Sequence, residues 1–97
     1  MISTLTGSIS HTNLDRIVVE ISGVGFEVAL TMRHALKLKV GDKLTVFTRL
    51  IVREDDLSLY GFESSSEREL FDQLCSVSGI GPKLALTTLS GLDASSL

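Results

Sequence analysis

The 97-residue chain contains no tryptophan, a single cysteine, a single proline, one tyrosine and four phenylalanines. Each scarcity removes a class of protein. A lone Cys75 excludes an intramolecular disulfide framework and fits a reducing cytoplasm. No His/Asn arrangement around it suggests a nucleophile, and its place one helical turn after Phe71 predicts a buried or half-buried thiol. No apolar run approaches the roughly 20 residues of a membrane span. Met1-Ile2-Ser3-Thr4-Leu5 lacks the basic-then-apolar order of a secretory leader. No phosphate-binding ATPase loop of the Walker type occurs. His11 and His34 stand apart from other candidate ligands and are expected at the surface, whereas the five aromatics (Phe26, Phe47, Tyr60, Phe62, Phe71) are expected mostly inside.

A basic surplus is also missing. The formal net charge is −3. Residues 1–63 hold seven Lys/Arg against eight Asp/Glu, and residues 64–97 hold two against four. Binding to a nucleic-acid backbone usually leaves a basic footprint. Any such binding must come here from local arrangement, from assembly of several copies, or from sequence beyond this chain.

What is present is an apolar content of 43%, enough for one folded domain, or for one small domain and part of another. Up to residue 62 the chain reads as short strands. Ile17, Val19 and Ile21 alternate with Val18, Glu20 and Ser22, and Phe26, Val28 and Leu30 alternate with Glu27 and Ala29. Ser22-Gly23-Val24-Gly25 joins the two as a tight hairpin, with Gly23 placed for a primed turn. Residues 32–38 break the alternation and predict one or two helical turns. Leu44 to Arg53 is a long alternating strand, reversed by Glu54-Asp55-Asp56 into Leu57 to Phe62. Five strands with a helical insert after the third give an OB-fold barrel over 1–63; an SH3-like barrel is the rival, and the insert favours OB.

At Ser64-Ser65-Ser66 the pattern changes to helix. Ser66 with Glu69 has capping-box spacing, and Leu70, Phe71, Leu74 and Val77 form an apolar stripe, predicting a helix over 66–77. Ser78-Gly79-Ile80-Gly81-Pro82-Lys83-Leu84-Ala85 follows. Two glycines allow a tight turn, and Pro82 suits the first turn of a helix running to Ser90, with Leu84, Leu86 and Leu89 facing inward and Gly91 as stop. A helix opening at Gly81-Pro82 leaves free amides, and small residues let an anion approach them. Lys83 sharpens this reading, since a cation in a first turn opposes the helix dipole unless something anionic sits there. The arrangement resembles the hairpin of a helix–hairpin–helix motif, which grips nucleic-acid backbone without reading bases. Its bland alternative is a tight interhelical turn with an exposed lysine. Asp93 reads as the N-cap of a further helix, yet the sequence stops at Leu97, which implies a fragment whose second unit, residues 64–97, is incomplete.

Val52-Arg53-Glu54-Asp55, Leu59-Tyr60-Gly61-Phe62, Glu67-Arg68, Leu70-Phe71, Gly79-Ile80-Gly81-Pro82-Lys83-Leu84-Ala85-Leu86 and Leu89-Ser90-Gly91 occur in one order, after Gly23-Val24-Gly25-Phe26-Glu27-Val28. Any one of these is a weak signal. In combination they closely resemble the RuvA family, the recognition subunits for four-way (Holliday) junctions in bacterial branch migration. The resemblance runs along the whole chain and covers roughly the N-terminal half of the family's length. It implies an α+β architecture: a five-stranded OB-fold barrel, then a helical domain of which only the first of two helix–hairpin–helix motifs is here. It further implies a homotetramer on four-way junction DNA, a hexameric ATPase partner (RuvB) engaged through a C-terminal domain not in this chain, and contact with the RuvC resolvase. No cofactor and no metal are implied.

Residue by residue, the resemblance makes Gly79 and Gly81 the backbone donors to a phosphate and Lys83 a charge-assisted contact. Ile80 and Leu84 become hydrophobic support. Glu54 and Asp55 match the family's acidic pin, which stands at the crossover. Taken alone, Glu54-Asp55-Asp56 is a solvated hairpin tip, as most acidic turns are; a hard-metal site is the remote alternative, since three adjacent residues on a turn rarely converge on one ion. The competing functions are a single-strand-binding OB module, a metal-dependent nuclease using Glu54, Asp55 and Asp56, and a pure assembly domain. Few aromatics are free to act as stacking platforms, which weighs against the first.

Overall fold

Period-two alternation from Arg16 to Ala29 folds into the expected hairpin. Ser22 (φ 51°) and Gly23 (φ 87°) both adopt positive φ, the signature of a primed turn, which matches the right-handed twist of the strands it joins. The computed structural model describes residues 1–91; the helix expected from Asp93 lies outside them. The elements are β1 (Thr4–Asn13), β2 (Arg16–Ile21), β3 (Val24–Ala29), α1 (Met32–Ala35), β4 (Lys43–Arg53), β5 (Asp56–Phe62), α2 (Ser65–Cys75) and α3 (Pro82–Ser90).

The strands close a barrel in the order β1-β2-β3-β5-β4, with α1 between β3 and β4. β1 serves two neighbours. Thr4 to Ser8 pairs with β4, and Ser8 to Asn13 pairs with β2, the register shifting between Ile9 and His11 where a bulge bends the strand. The seam is parallel and short: Val28 faces Leu59, and Ala29 faces Tyr60. This is the OB-type barrel that the strand count and the helical insert imply.

Two clusters make the core. Leu5, Ile9, Ile17, Val19, Val28, Leu30, Ala35 and Val46 fill the barrel. Ala29, Tyr60 and Phe62 lie in a second cluster with Phe71 of α2 and Ala85, Leu86 and Leu89 of α3. β5 therefore works on both faces. Leu59 packs toward the barrel and Gly61 leaves room there, since a Cβ at Gly61 would meet Val28, Val46 and Leu30 at 2.6–2.8 Å. Tyr60 and Phe62 point the other way, and the Phe71 ring stands 5.4 Å from Tyr60 and 4.8 Å from Phe62. Burying Phe71 contributes about 1.5–3 kcal/mol, with about 0.5–1.5 kcal/mol more from each ring pair.

Four sequence expectations need correction. The α2 cap is Ser64, whose hydroxyl accepts from the Glu67 amide at 3.1 Å, while Glu67 Oε1 accepts from the Glu63 amide at 3.3 Å; the expected Ser66–Glu69 pair lies inside the helix. The helix accordingly ends at Cys75, and Val77 falls beyond it, exposed. In α3 the inward residues are Ala85, Leu86 and Leu89, whereas Leu84 is 52% exposed. With Pro82 as first residue, positions 85, 86 and 89 share the face that meets Phe71, and position 84 points away. His34 is not a surface residue. It is 6% exposed on the single turn of α1, its Nδ1 without a hydrogen-bond partner among the described residues, in the field of Glu63 and Glu67. Burial holds its pKa below the ordinary imidazole value of 6.5, against the pull of those two carboxylates.

Candidate nucleic-acid interface

The turn between α2 and α3 is built by Ser76 to Gly81. The Ile80 amide closes back on the Val77 carbonyl at 3.1 Å. Gly79 then takes φ +87°, a conformation that costs residues with a side chain about 1–2 kcal/mol. Gly81 is different. Its φ of −90° and ψ of 175° are extended backbone that any residue adopts. What glycine secures there is empty space: the nearest atom to the site of a Cβ is Arg53 Nη2, at 4.0 Å.

Gly81 is also the N-cap of α3, and no side chain caps that helix. Serine, threonine, aspartate or asparagine would satisfy one of the first-turn amides; glycine satisfies none. The first intrahelical bond runs from the Ala85 amide to the Gly81 carbonyl at 3.0 Å. The amides of Gly79, Gly81, Lys83 and Leu84 find no acceptor among the described residues, and Pro82 has no N–H to offer. Four donors and the positive end of the helix dipole thus open on one exposed patch.

Lys83 stands in this first turn, exposed and with no ion pair among the described residues. It borders a groove of about 460 Å³ over the short β3–β5 seam, together with Arg16, Phe26, Asp56, Ser58 and Tyr60. Burial pushes the Tyr60 phenol pKa up, and the nearby Arg53 and Arg16 guanidiniums pull against that.

Glu54 and Asp55 are the two residues of the β4–β5 turn, both exposed, beyond the last register pair of Arg53 with Asp56. Asp56 turns back to accept from Ser58 Oγ at 2.6 Å, so it belongs to the strand and the groove. The tip is therefore a two-carboxylate feature. Val52 and Leu57, paired across the hairpin, are 62% and 68% exposed, which shows that the arm projects beyond the barrel.

Arg49 of β4 holds Asp72 of α2 through two bonds, 2.9 Å from Nε and 2.5 Å from Nη2. Arg33 reaches Glu67 at 3.2 Å, and Arg68 donates to the Ser3 carbonyl at 2.8 Å while lying over the Phe47 ring. The barrel and the helical turn are thus held at fixed spacing. Gly79, Gly81 and Lys83 are brought together; Glu54 and Asp55 form a separate feature one residue beyond Arg53. Sequence reasoning gives Arg53 no role, because its approach to Gly81 is tertiary. The available signal was an arginine next to an acidic turn with no carboxylate partner on its own strand.

The geometry also bears on the rival chemistries. Phe62 and Phe71 are wholly buried and Tyr60 nearly so, Phe47 is half-buried under Arg68, and half-buried Phe26 is the aromatic left to offer part of a face to the groove, which makes a poor platform for stacking successive bases. Among the described residues no group of three His, Cys, Asp or Glu side chains has metal-holding geometry. The Cys75 thiol is half-buried, with its pKa raised by burial and by Asp72, which makes it a poor nucleophile.

A family model described as "RuvA N terminal domain" matches residues 1–61. The chain is 46% identical over 93 residues to the Holliday junction branch migration complex subunit RuvA of Clavibacter michiganensis, covering 96% of this chain and 44% of that protein. It is 43% identical over 97 residues to the protein of the same name in Alkaliphilus oremlandii, covering 100% of this chain and 50% of that one. With the Pseudomonas putida W619 protein of that name, identity is 44% over 98 residues, or 48% of its length. The chain spans about half the length of the curated relatives it matches.

Proposed function

The chain belongs to the RuvA family, and on that premise we propose that it is a non-catalytic module that recognises four-way junction DNA by shape. Residues 1–63 serve as the barrel unit, for assembly and for the junction centre, and residues 64–97 begin the unit that grips DNA. The relatives' shared name, Holliday junction branch migration complex subunit RuvA, extends the proposal to a role in recombination and repair. There the module works in the cytoplasm as a homotetramer. The hexameric RuvB ATPase supplies the mechanical work, and RuvC resolvase is a further partner.

The observation that carries the reading is the patch of amides at Gly79, Gly81, Lys83 and Leu84 that find no acceptor among the described residues, opening beside the Lys83 side chain, with a projecting two-carboxylate tip as a separate feature. A phosphate at the patch gains short N–H bonds, the helix dipole and the Lys83 charge, none of which depends on base identity. Glu54 and Asp55 act in the opposite sense. Carboxylates at an exposed tip repel phosphates, and several copies around one axis would keep backbones from crossing the centre and favour four splayed arms over a continuous duplex. Net negative charge then accords with DNA binding, because acid stands where DNA must be excluded.

The test is a competition assay in which the chain is titrated onto a labelled four-way junction with unlabelled linear duplex of equal length. The reading expects junction preference that shrinks in a Glu54→Gln/Asp55→Asn variant. Binding without preference would reduce the site to a plain phosphate grip. Absence of binding would leave an assembly module.

A further inference from the structure

The geometry points to Arg53 as a further DNA-backbone contact, one that holds the phosphate next to the glycine hairpin and so sets where the acidic tip meets the strand. The inference deepens the junction-binding reading and rests on it. Arg53 lies at the end of β4, on the arm that projects from the barrel, and its Nη2 reaches to 4.0 Å from the Cβ site of Gly81, in the helical turn. Beyond its electrostatic pull on Tyr60, no hydrogen bond or ion pair among the described residues accounts for this approach. The carboxylate opposite it in register, Asp56, is turned to Ser58 Oγ. The ion pairs among the described residues use Arg16, Arg33, Lys37 and Arg49, and Arg68 is taken up by the Ser3 carbonyl and Phe47. Arg53 is exposed and has no hydrogen bond or ion pair there.

An unpaired guanidinium is thus placed against unsatisfied amides, the positive end of α3 and, in the same first turn, Lys83. These groups are all of one sign. Left to themselves they repel; an anion between them is attracted by each, and those attractions offset the mutual repulsion. Guanidinium suits the role, since its planar fork binds two phosphate oxygens at once, whereas Lys83 supplies a point charge. Gly81 completes the argument. Its backbone does not require glycine, and the space a side chain would fill is the space between the amides and Arg53. Because Arg53 directly precedes Glu54, attraction gives way to repulsion within one residue step along the arm. Arg53 then fixes the offset between the gripped phosphate and the excluded centre.

The experiment measures junction affinity across a salt series for the wild-type chain and for Arg53→Gln, Arg53→Lys, Lys83→Gln and Lys43→Ala. Each phosphate contact contributes about 0.9 to the slope of log K against log salt. Arg53→Gln should lower the slope by about that amount and weaken binding about tenfold at low salt, with the melting temperature unchanged. Arg53→Lys should keep the slope while losing part of the affinity, and Lys43→Ala, remote on the barrel, should change neither. A normal slope in Arg53→Gln, alongside a reduced one in Lys83→Gln, would overturn the inference and leave the junction reading standing. A lower melting temperature with an intact slope would make Arg53 a structural residue. A wild-type chain that binds no junction would overturn both.

Discussion

At the scale of single residues, the two glycines of the interhelical turn look equivalent in sequence and are not equivalent in space. Gly79 is required by its backbone, so Gly79→Ala should lower stability by about 1–2 kcal/mol, read as a lower denaturation midpoint. Gly81 is required by nothing internal. Gly81→Asp supplies the missing cap and a charge that complements the dipole, and should raise stability by a few tenths to about 1 kcal/mol. The same change should abolish phosphate binding, because its carboxylate takes the amides and faces Arg53. Opposite signs for stability and binding, in one variant, are the expected result of a thermal melt paired with a junction titration. A variant that bound normally would show that the amides of α3 are not the grip.

Elements were legible to different degrees, for physical reasons. The Ser22-Gly23 hairpin could be read because both turn type and alternation are local. The cap of α2 lies two residues before the expected one because Ser64-Ser65-Ser66 offers successive hydroxyls, each followed three positions on by a polar side chain. Glu67 settles the matter by folding back onto the Glu63 amide and meeting Arg33 of α1, a contact made across the fold. His34 was misplaced for the same reason: a four-residue helix has no periodicity to reveal its inward face. The consequence is measurable. Burial depresses the His34 pKa, so below about pH 6.5 the unfolded chain binds a proton that the folded chain resists. Stability should therefore fall as pH drops through that range. It should fall again at lower pH as Glu63 is protonated: burial alone would raise that carboxyl, but the Lys37 hydrogen bond and the neighbouring cations bring it below its ordinary value. Denaturation midpoints from pH 7.5 to 5 should show the first decline, and His34→Gln should flatten it; an unchanged profile would place the loss elsewhere.

For the molecule as a whole, the five-stranded OB barrel followed from the strand count and the helical insert, but the two-faced packing of β5 and the meeting of Arg53 with Gly81 did not, since no local pattern encodes either. The resemblance already singled out Glu54 and Asp55 as an acidic pin; what the sequence did not show is that they stand at the tip of an arm projecting beyond the barrel. Neutralising both should leave the melting temperature within experimental scatter, as for exposed substitutions generally, while raising affinity for linear duplex. A variant that lost junction and duplex binding alike would make the tip a structural element.

Phe71→Ala should cost about 3–5 kcal/mol, because the ring fills the space between α2, Tyr60 and Phe62. The loss should appear as one cooperative transition in circular dichroism. β5 is the reason. It is a wall of the barrel and also the surface on which the helices are seated, so the two units have no hinge between them along that strand. A sideways pull on the Gly79–Lys83 turn is transmitted through Phe71 and the Arg49–Asp72 clasp directly into the staves of the barrel. The chain is built as a bracket: the Gly79–Lys83 turn and the Glu54–Asp55 tip share one mount, so on the proposed function a DNA strand drawn across it would meet both at a set spacing.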